Sequence, residues 1–176
     1  MPNWGQVLNE IASLVQHHQS EANKHQQLAE IPNAIAAVRK GYLAKLHALH
    51  SRNVIAYYSG FLSKGPSPLS SINDEDKNGF MMAIHGMGKK RMAGLDLILH
   101  TPGGDIASTQ SIVRYLREMF GDDIRAIIPQ IAMSAGTMIA CSCREVWMGK
   151  ESNLGPIDPW VAGIPAAGII EEFKRA

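Results

Sequence analysis

A serine becomes reactive only where its surroundings make it so, and Ser134 has such surroundings. It stands in the run Ile131-Ala132-Met133-Ser134-Ala135-Gly136-Thr137, among small residues and at the expected start of a helix. A sharp turn tolerates only small neighbours, and a helix N-terminus stabilises developing negative charge; a nucleophilic hydroxyl needs both. The run departs from the hydrolase elbow G-x-S-x-G, because Ala132 occupies the first glycine position. Serine is also a favoured helix N-cap, a purely structural use of the same residue in the same place. A second run, His100-Thr101-Pro102-Gly103-Gly104-Asp105, follows an apolar strand and carries paired glycines that let backbone N–H groups approach a ligand. Alone it reads equally well as a tight turn. Together the two runs supply what acyl transfer requires: a hydroxyl at Ser134 and two donors for a tetrahedral oxyanion, the amides of Gly104 and Ala135.

The proton on that hydroxyl needs a base. No histidine follows His100, so a Ser-His-Asp order cannot be assembled from downstream residues. The candidates are Lys174, about forty positions after Ser134, then Lys150, and His85 or His100 from earlier elements. Lys174 stands in the charged tail Glu171-Glu172-Phe173-Lys174-Arg175, where a solvated side chain is the plain reading. His100 also suits packing or hydrogen bonding. Asp158, between Pro156 and Pro159, reads as structural or as part of a subunit contact.

The elements that must hold these residues follow from periodicity. Val7, Leu8, Ile11, Leu14 and Val15 mark one face of a helix. Pro32 is expected to interrupt this region, with a second helix from about Asn33 to His50. From Asn53 onward, short β-rich runs alternate with helices, the signature of an α/β domain with a largely parallel sheet. Strands are expected at 53–58, 95–100, 124–129 and 145–148. Ser59 to Ser71 reads as a loop, ending where Asn73 and the acids at 74–76 cap a helix. Further helices are expected over 106–120, from the Ser134 turn to Cys143, and from about Pro165. Parallel sheets place ligands at the carboxyl ends of their strands, where both glycine and serine turns fall.

Composition narrows the function classes. With 17 basic and 16 acidic residues and a formal charge of +1, nothing favours nucleic acid as a partner. The cluster Lys89, Lys90 and Arg91 reads as a solvated loop. Neither a membrane span nor a secretory leader is visible, which gives an expectation of a cytoplasmic, soluble protein. Cys141 and Cys143 are too close for an easy disulfide and too few for zinc, and read as buried, inert thiols. Histidines such as His17 and His18 read as exposed polar positions, so neither a metal nor a cofactor is expected.

At this point the motifs carry a resemblance. HTPGGD, MSAGT and NLGPIDP, preceded by NVIAYYSGFL and INDEDKNGF, resemble the Clp-protease and signal-peptide-peptidase superfamily, most closely its serine dehydrogenase proteinase branch. The likeness spans roughly residues 40–174. It implies a ClpP/crotonase-like spiral of ββα units, peptide-bond hydrolysis through an acyl-enzyme on peptides or unfolded proteins, and assembly into homo-oligomers. It sets Ser134 on the family's nucleophile and the Pro102-Gly103-Gly104 turn on its oxyanion-hole glycines. Where the Clp protease subunit carries a histidine, this chain holds Pro156, Ile157, Asp158 and Pro159. The expected organisation is an N-terminal helical arm, 1–50, and a ClpP/crotonase-like domain, 51–176, that stops within a helix as a truncated form would. Two readings compete with a serine peptidase: a non-catalytic scaffold or peptide-binding module, and a crotonase-like acyl-CoA enzyme sharing the oxyanion hole.

Overall fold

A computed structural model of the chain describes residues 4–17, 24–64, 67, 70–88, 94–158, 160–161 and 164–175. The chain divides into two compact units, Met1–Ser51 and Arg52–Ala176. The expectations for His18, for Lys89, Lys90 and Arg91, and for Pro159 fall outside the described residues.

The first unit holds α1 (Trp4–His17) and α2 (Lys24–His50), which pack against each other. The Tyr42 hydroxyl donates to Glu10 Oε2 at 2.8 Å and ties one helix to the other. Pro32 does not break α2, contrary to the expectation of a helix starting near Asn33. Proline deletes one backbone donor and crowds the preceding turn, a cost of about 3 kcal/mol. Good helix formers on both sides of Pro32, Gln, Leu, Ala and Glu before it and an Ala- and Leu-rich run after it, favour continuing the helix through it. Ser51, at φ 52°, ends the helix in the left-handed conformation common at such stops.

The second unit is built on four parallel strands in the order β1 (Asn53–Tyr58), β2 (Leu95–His100), β3 (Ile124–Ile128), β5 (Glu145–Met148). Side chains of a strand alternate between faces. Ile55, Leu97 and Ala126 share one row of the sheet and, with Leu95, Leu99, Ile124 and Ile128, form its buried face. Against that face pack Phe80 and Ile84 of α4 (Asp74–His85), Ile112, Leu116 and Phe120 of α5 (Ile106–Phe120), and Ile139 and Ala140 of α6 (Ala135–Cys141). This is the expected mixed α/β architecture with a parallel sheet.

Three details were not anticipated. A short α3 (Phe61–Lys64) forms within the serine-rich loop. β4 (Ile131–Ala132) leads into the Ser134 turn and pairs in parallel with β6 (Asn153–Leu154). A hairpin of β7 (Trp160–Val161) and β8 (Ile164–Pro165) precedes α7 (Ala166–Arg175). Two-residue strands carry too few side chains to show a period.

The amino ends of the first three strands share one electrostatic centre. Asp96 is fully buried, and Arg125 grips it with two bonds, Nη2 to Oδ2 at 2.7 Å and Nε to Oδ1 at 3.1 Å. Arg52 Nε donates to Asp96 Oδ1 at 2.7 Å, while its Nη2 donates to the carbonyls of Leu95 at 3.1 Å and Asp123 at 2.9 Å. Removing one partner of a buried pair leaves uncompensated charge, which costs about 3–5 kcal/mol. Asp96→Ala is therefore expected to lower unfolding free energy by about that amount in urea titration. A loss below about 1 kcal/mol would mean that the arginines do not depend on Asp96.

Candidate functional site

Three backbone segments meet at the carboxyl edge of the sheet. Thr101 continues β2 and forms a parallel bridge to Ala132, with Thr101 N donating to Ile131 O at 3.1 Å and Met133 N to Thr101 O at 3.0 Å. Gly104 in turn bridges to Ile72, just ahead of α4. Ile72 N donates to Gly103 O and Asp105 N donates to Ile72 O, both at 2.8 Å. Ile72 therefore engages the residues on either side of Gly104, and the Gly104 amide points away from Ile72.

Both glycines are required by close approach. A Cβ on Gly104 would lie 2.2 Å from Ile72 N. A Cβ on Gly103 would lie 2.8 Å from both Met133 O and Ser134 Cβ, and Gly103 sits at φ 100°, which side-chain-bearing residues avoid. The glycine turn and the serine turn are thus in direct contact. Gly103 N donates to Thr101 Oγ1 at 3.1 Å, while the Gly104 amide has no such partner among the described residues.

Ser134 occupies the second position of a turn closed by Gly136 N donating to Met133 O at 2.8 Å. Its backbone lies at φ 50°, ψ −116°, the first corner of a type II′ turn, where glycine is the usual residue. For a side-chain-bearing residue this conformation costs about 1–3 kcal/mol. The serine stands at the N-cap position of α6, yet its side chain makes no capping bond, and Oγ has no hydrogen-bond partner among the described residues. Ala135 is the first residue of α6, so its amide has no acceptor within the helix.

The third motif closes on the same turn. Thr137 Oγ1 lies 2.7 Å from Ala132 O and 3.0 Å from Gly155 O, and it accepts from Gly155 N at 3.1 Å. A Cβ on Gly155 would lie 2.7 Å from Met133 Sδ. Beneath the glycine turn, the Tyr57 hydroxyl donates to Asp76 Oδ2 at 3.1 Å. Burial, reinforced by the Asp76 carboxylate, raises the Tyr57 phenol well above its ordinary range. Asp105 caps α5 through Ser108 N at 2.6 Å, and that backbone donor lowers its carboxyl from the usual value. Thr101, Thr137, Ile72 and Gly155 were not singled out in the sequence. Their only signal there was position beside the serine and glycine motifs.

Gly103 is brought against Ser134 and Ala135, with Gly104 next in the same turn; among the described residues none of the candidate bases hydrogen-bonds to them. His100 is 5% exposed, stacks on Tyr58 with ring centroids 4.6 Å apart and on Phe61 at 5.3 Å, and donates from Nε2 to Gln130 Oε1 at 3.2 Å. Its Nδ1 is buried without a partner among the described residues. His85 ends α4, about 18 Å from the end that adjoins Ile72. Lys150 is exposed in the turn after β5, and Lys174 is exposed on α7. Asp158 is half-buried. The described residues contain no cluster of metal-binding side chains and no helix long and apolar enough to cross a membrane. The cysteine expectation is half corrected. Cys143 is partly buried against the core, but Cys141, the last residue of α6, is exposed.

A family model described as ClpP-like SDH-type serine proteinase matches residues 39–176. Two uncharacterized proteins of Methanocaldococcus jannaschii are similar. One is 41% identical over 81 residues, covering 46% of this chain and 27% of the relative. The other is 35% identical over 104 residues, covering 59% of this chain and 35% of the relative. The chain therefore spans about a third or less of the length of these relatives.

Two outcomes test this geometry. Gly103→Ala, which adds both the Cβ overlap and the φ strain, is expected to cost about 2–5 kcal/mol in urea titration. Unchanged stability would mean that the turns do not touch. Burial pushes the Cys143 thiol up to about 11. Only about a thousandth of it is thiolate at pH 8, so its alkylation should rise about tenfold per pH unit towards pH 11. Exposed Cys141 should be labelled first by iodoacetamide in peptide mapping, and equal rates at pH 8 would contradict the burial of Cys143.

Proposed function

The chain belongs to the family of ClpP-like SDH-type serine proteinases, and from that premise we propose that it is a serine peptidase acting through an acyl-enzyme on Ser134. The observation that carries this reading is the strained, uncapped serine. Ser134 holds a costly backbone conformation while its hydroxyl forgoes the capping bond that a structural serine would make.

In the proposed reaction, Ser134 Oγ attacks the carbonyl carbon of a peptide bond as its proton passes to a base. The resulting oxyanion accepts hydrogen bonds from the amides of Gly104 and Ala135. Collapse of the tetrahedral species breaks the C–N bond, and the leaving amine takes the proton from the base. Water then hydrolyses the ester by the same steps in reverse order. The consumption of the Gly103 amide by Thr101 Oγ1 favours Gly104 as the first donor.

Lys174 is the base in this scheme, with Lys150 the second candidate; a neutral lysine amine beside a serine is a competent proton acceptor. α7 would have to carry Lys174 to Ser134. Its Ile170 and Phe173 are 55% and 81% exposed, consistent with a helix whose apolar side awaits a surface. The proposed organisation keeps a helical arm over 1–50 and a ClpP/crotonase-like spiral over 51–176, working as a homo-oligomer on peptides or unfolded chains. A catalytically degenerate peptide-binding module is the second reading, favoured by the lack of any hydrogen-bond partner for Ser134 Oγ among the described residues.

A fluorophosphonate probe separates the two. Covalent labelling is expected at Ser134 and should vanish in Ser134→Ala. Lys174→Met should slow labelling by about a hundredfold or more, with Lys150→Met near the unmodified rate. A folded protein that takes no label is the degenerate module, and labelling untouched by either lysine change excludes both as the base.

A further inference from the structure

β1 is a terminal strand of its sheet. Asn53 N donates to Gly94 O at 3.1 Å and Ser59 N to His100 O at 2.8 Å, on either side of the in-register pairing of β1 with β2. Inward-facing residues alternate along a parallel ladder, so 53, 55 and 57 turn their backbone groups to β2. Val54, Ala56 and Tyr58 turn theirs outward. β1 ends the sheet, and among the described residues no strand covers these groups. The strand reads Asn-Val-Ile-Ala-Tyr-Tyr, with no charge and no proline. Proteins that keep an edge strand free usually blunt it with lysine, proline or a bulge, and β1 has neither residue.

A groove of about 440 Å³ runs beside this edge. Ile55, Ala56 and Tyr57 form one wall, and Asp76, Gly79 and Phe80 of α4 form the other. Nothing lies within 4 Å of where a Gly79 Cβ would be, so that wall stands back from its neighbours. The lining includes two carboxylates, Glu75 and Asp76, and no lysine, arginine or histidine. Asp76 is engaged by the Tyr57 hydroxyl at 3.1 Å and Asn73 N at 2.8 Å. The exposed Glu75 carboxylate has no ion pair among the described residues.

We propose that the β1 edge docks an extended segment of a polypeptide substrate as an added strand, with a lysine or arginine of that segment facing Glu75. Main-chain bonds to Val54, Ala56 and Tyr58 hold the segment irrespective of its sequence, and the groove selects the alternate side chains that enter it. The groove reaches Asn73, the neighbour of the Ile72 that clamps Gly104, so the docked chain would extend towards the glycine turn. The identity of the occupant as substrate rests on the peptidase reading; the docking itself does not.

The test is residue-resolved amide exchange on the Ser134→Ala chain, in which failure to turn over substrate bears only on the peptidase reading. The probe is an acetylated, amidated octapeptide in which threonine alternates with valine or lysine; its counterpart carries glutamate for lysine. The lysine peptide is expected to slow exchange at Ala56 and Tyr58 at least tenfold at saturation and to leave Ile55 and Tyr57 unchanged. The glutamate peptide and Glu75→Gln should each weaken binding about two- to fivefold, the range an exposed ion pair supplies. Ala56→Pro removes an outward N–H without breaking a bond to β2, and should abolish binding. Unchanged exchange at Ala56 and Tyr58, or equal protection by the two peptides, overturns the proposal. So does protection in the free protein that grows with its concentration, because a second copy would then own the edge. Should Ala56→Pro fail to fold, the exchange data on the Ser134→Ala chain decide alone.

Discussion

Everything at the carboxyl edge of the sheet depends on how closely three backbones approach. Ile72, Gly103-Gly104 and Met133-Ser134-Ala135 lie so near one another that no side chain fits between them. The contact is made by main-chain bonds and by the absence of Cβ atoms. Ile72 uses both of its polar groups on the flanks of Gly104, which fixes the direction of the intervening amide. Thr101 adds a second constraint, since its hydroxyl engages the Gly103 amide while its backbone pairs with Ile131 and Met133. Donors set in place before a ligand arrives need no reorganisation during a reaction, which is the source of their value in an oxyanion site.

The opposite edge of the sheet uses the reverse strategy. There the strands are joined by charge, with the buried Asp96 held by Arg52 and Arg125. A carboxylate with two guanidinium partners is a poor source of net stability, because desolvation offsets much of the attraction. It is, however, intolerant of displacement. Between the two edges run apolar strands whose packing sets their separation, so polar precision at one end and steric precision at the other act on the same rigid layer.

The strands, α4, α5 and the turn at Ser134 were legible because each rests on a local signal: a run of β-branched residues, an Asn-Asp-Glu-Asp cap, a helical period ending at Gly121. Contact between the glycine and serine turns was also within reach, since both follow parallel strands. What stayed hidden depends on distant partners. Nothing in Pro32 announces that the helix continues past it, and nothing in Cys141 tells that it lies on the exposed side of α6. That Gly103 serves contact with Ser134, and Gly104 contact with Ile72, required knowing which chain lies opposite each glycine. The base is the hardest case, because a lysine on an exposed helix looks the same in sequence whether it is solvated or delivered elsewhere.

The uncapped Ser134 makes the integrity of the fold and the availability of its hydroxyl one quantity. Freed from Gly103, Thr101 and the 155 loop, the residue would relax to a negative φ, where its oxygen can reach the unpaired amides of α6 and become an ordinary cap. A nascent or partly unfolded chain would therefore hold the Ser134 hydroxyl in a capping bond. The contacts of Gly103, Thr101 and Gly155 with this turn keep the hydroxyl out of that bond.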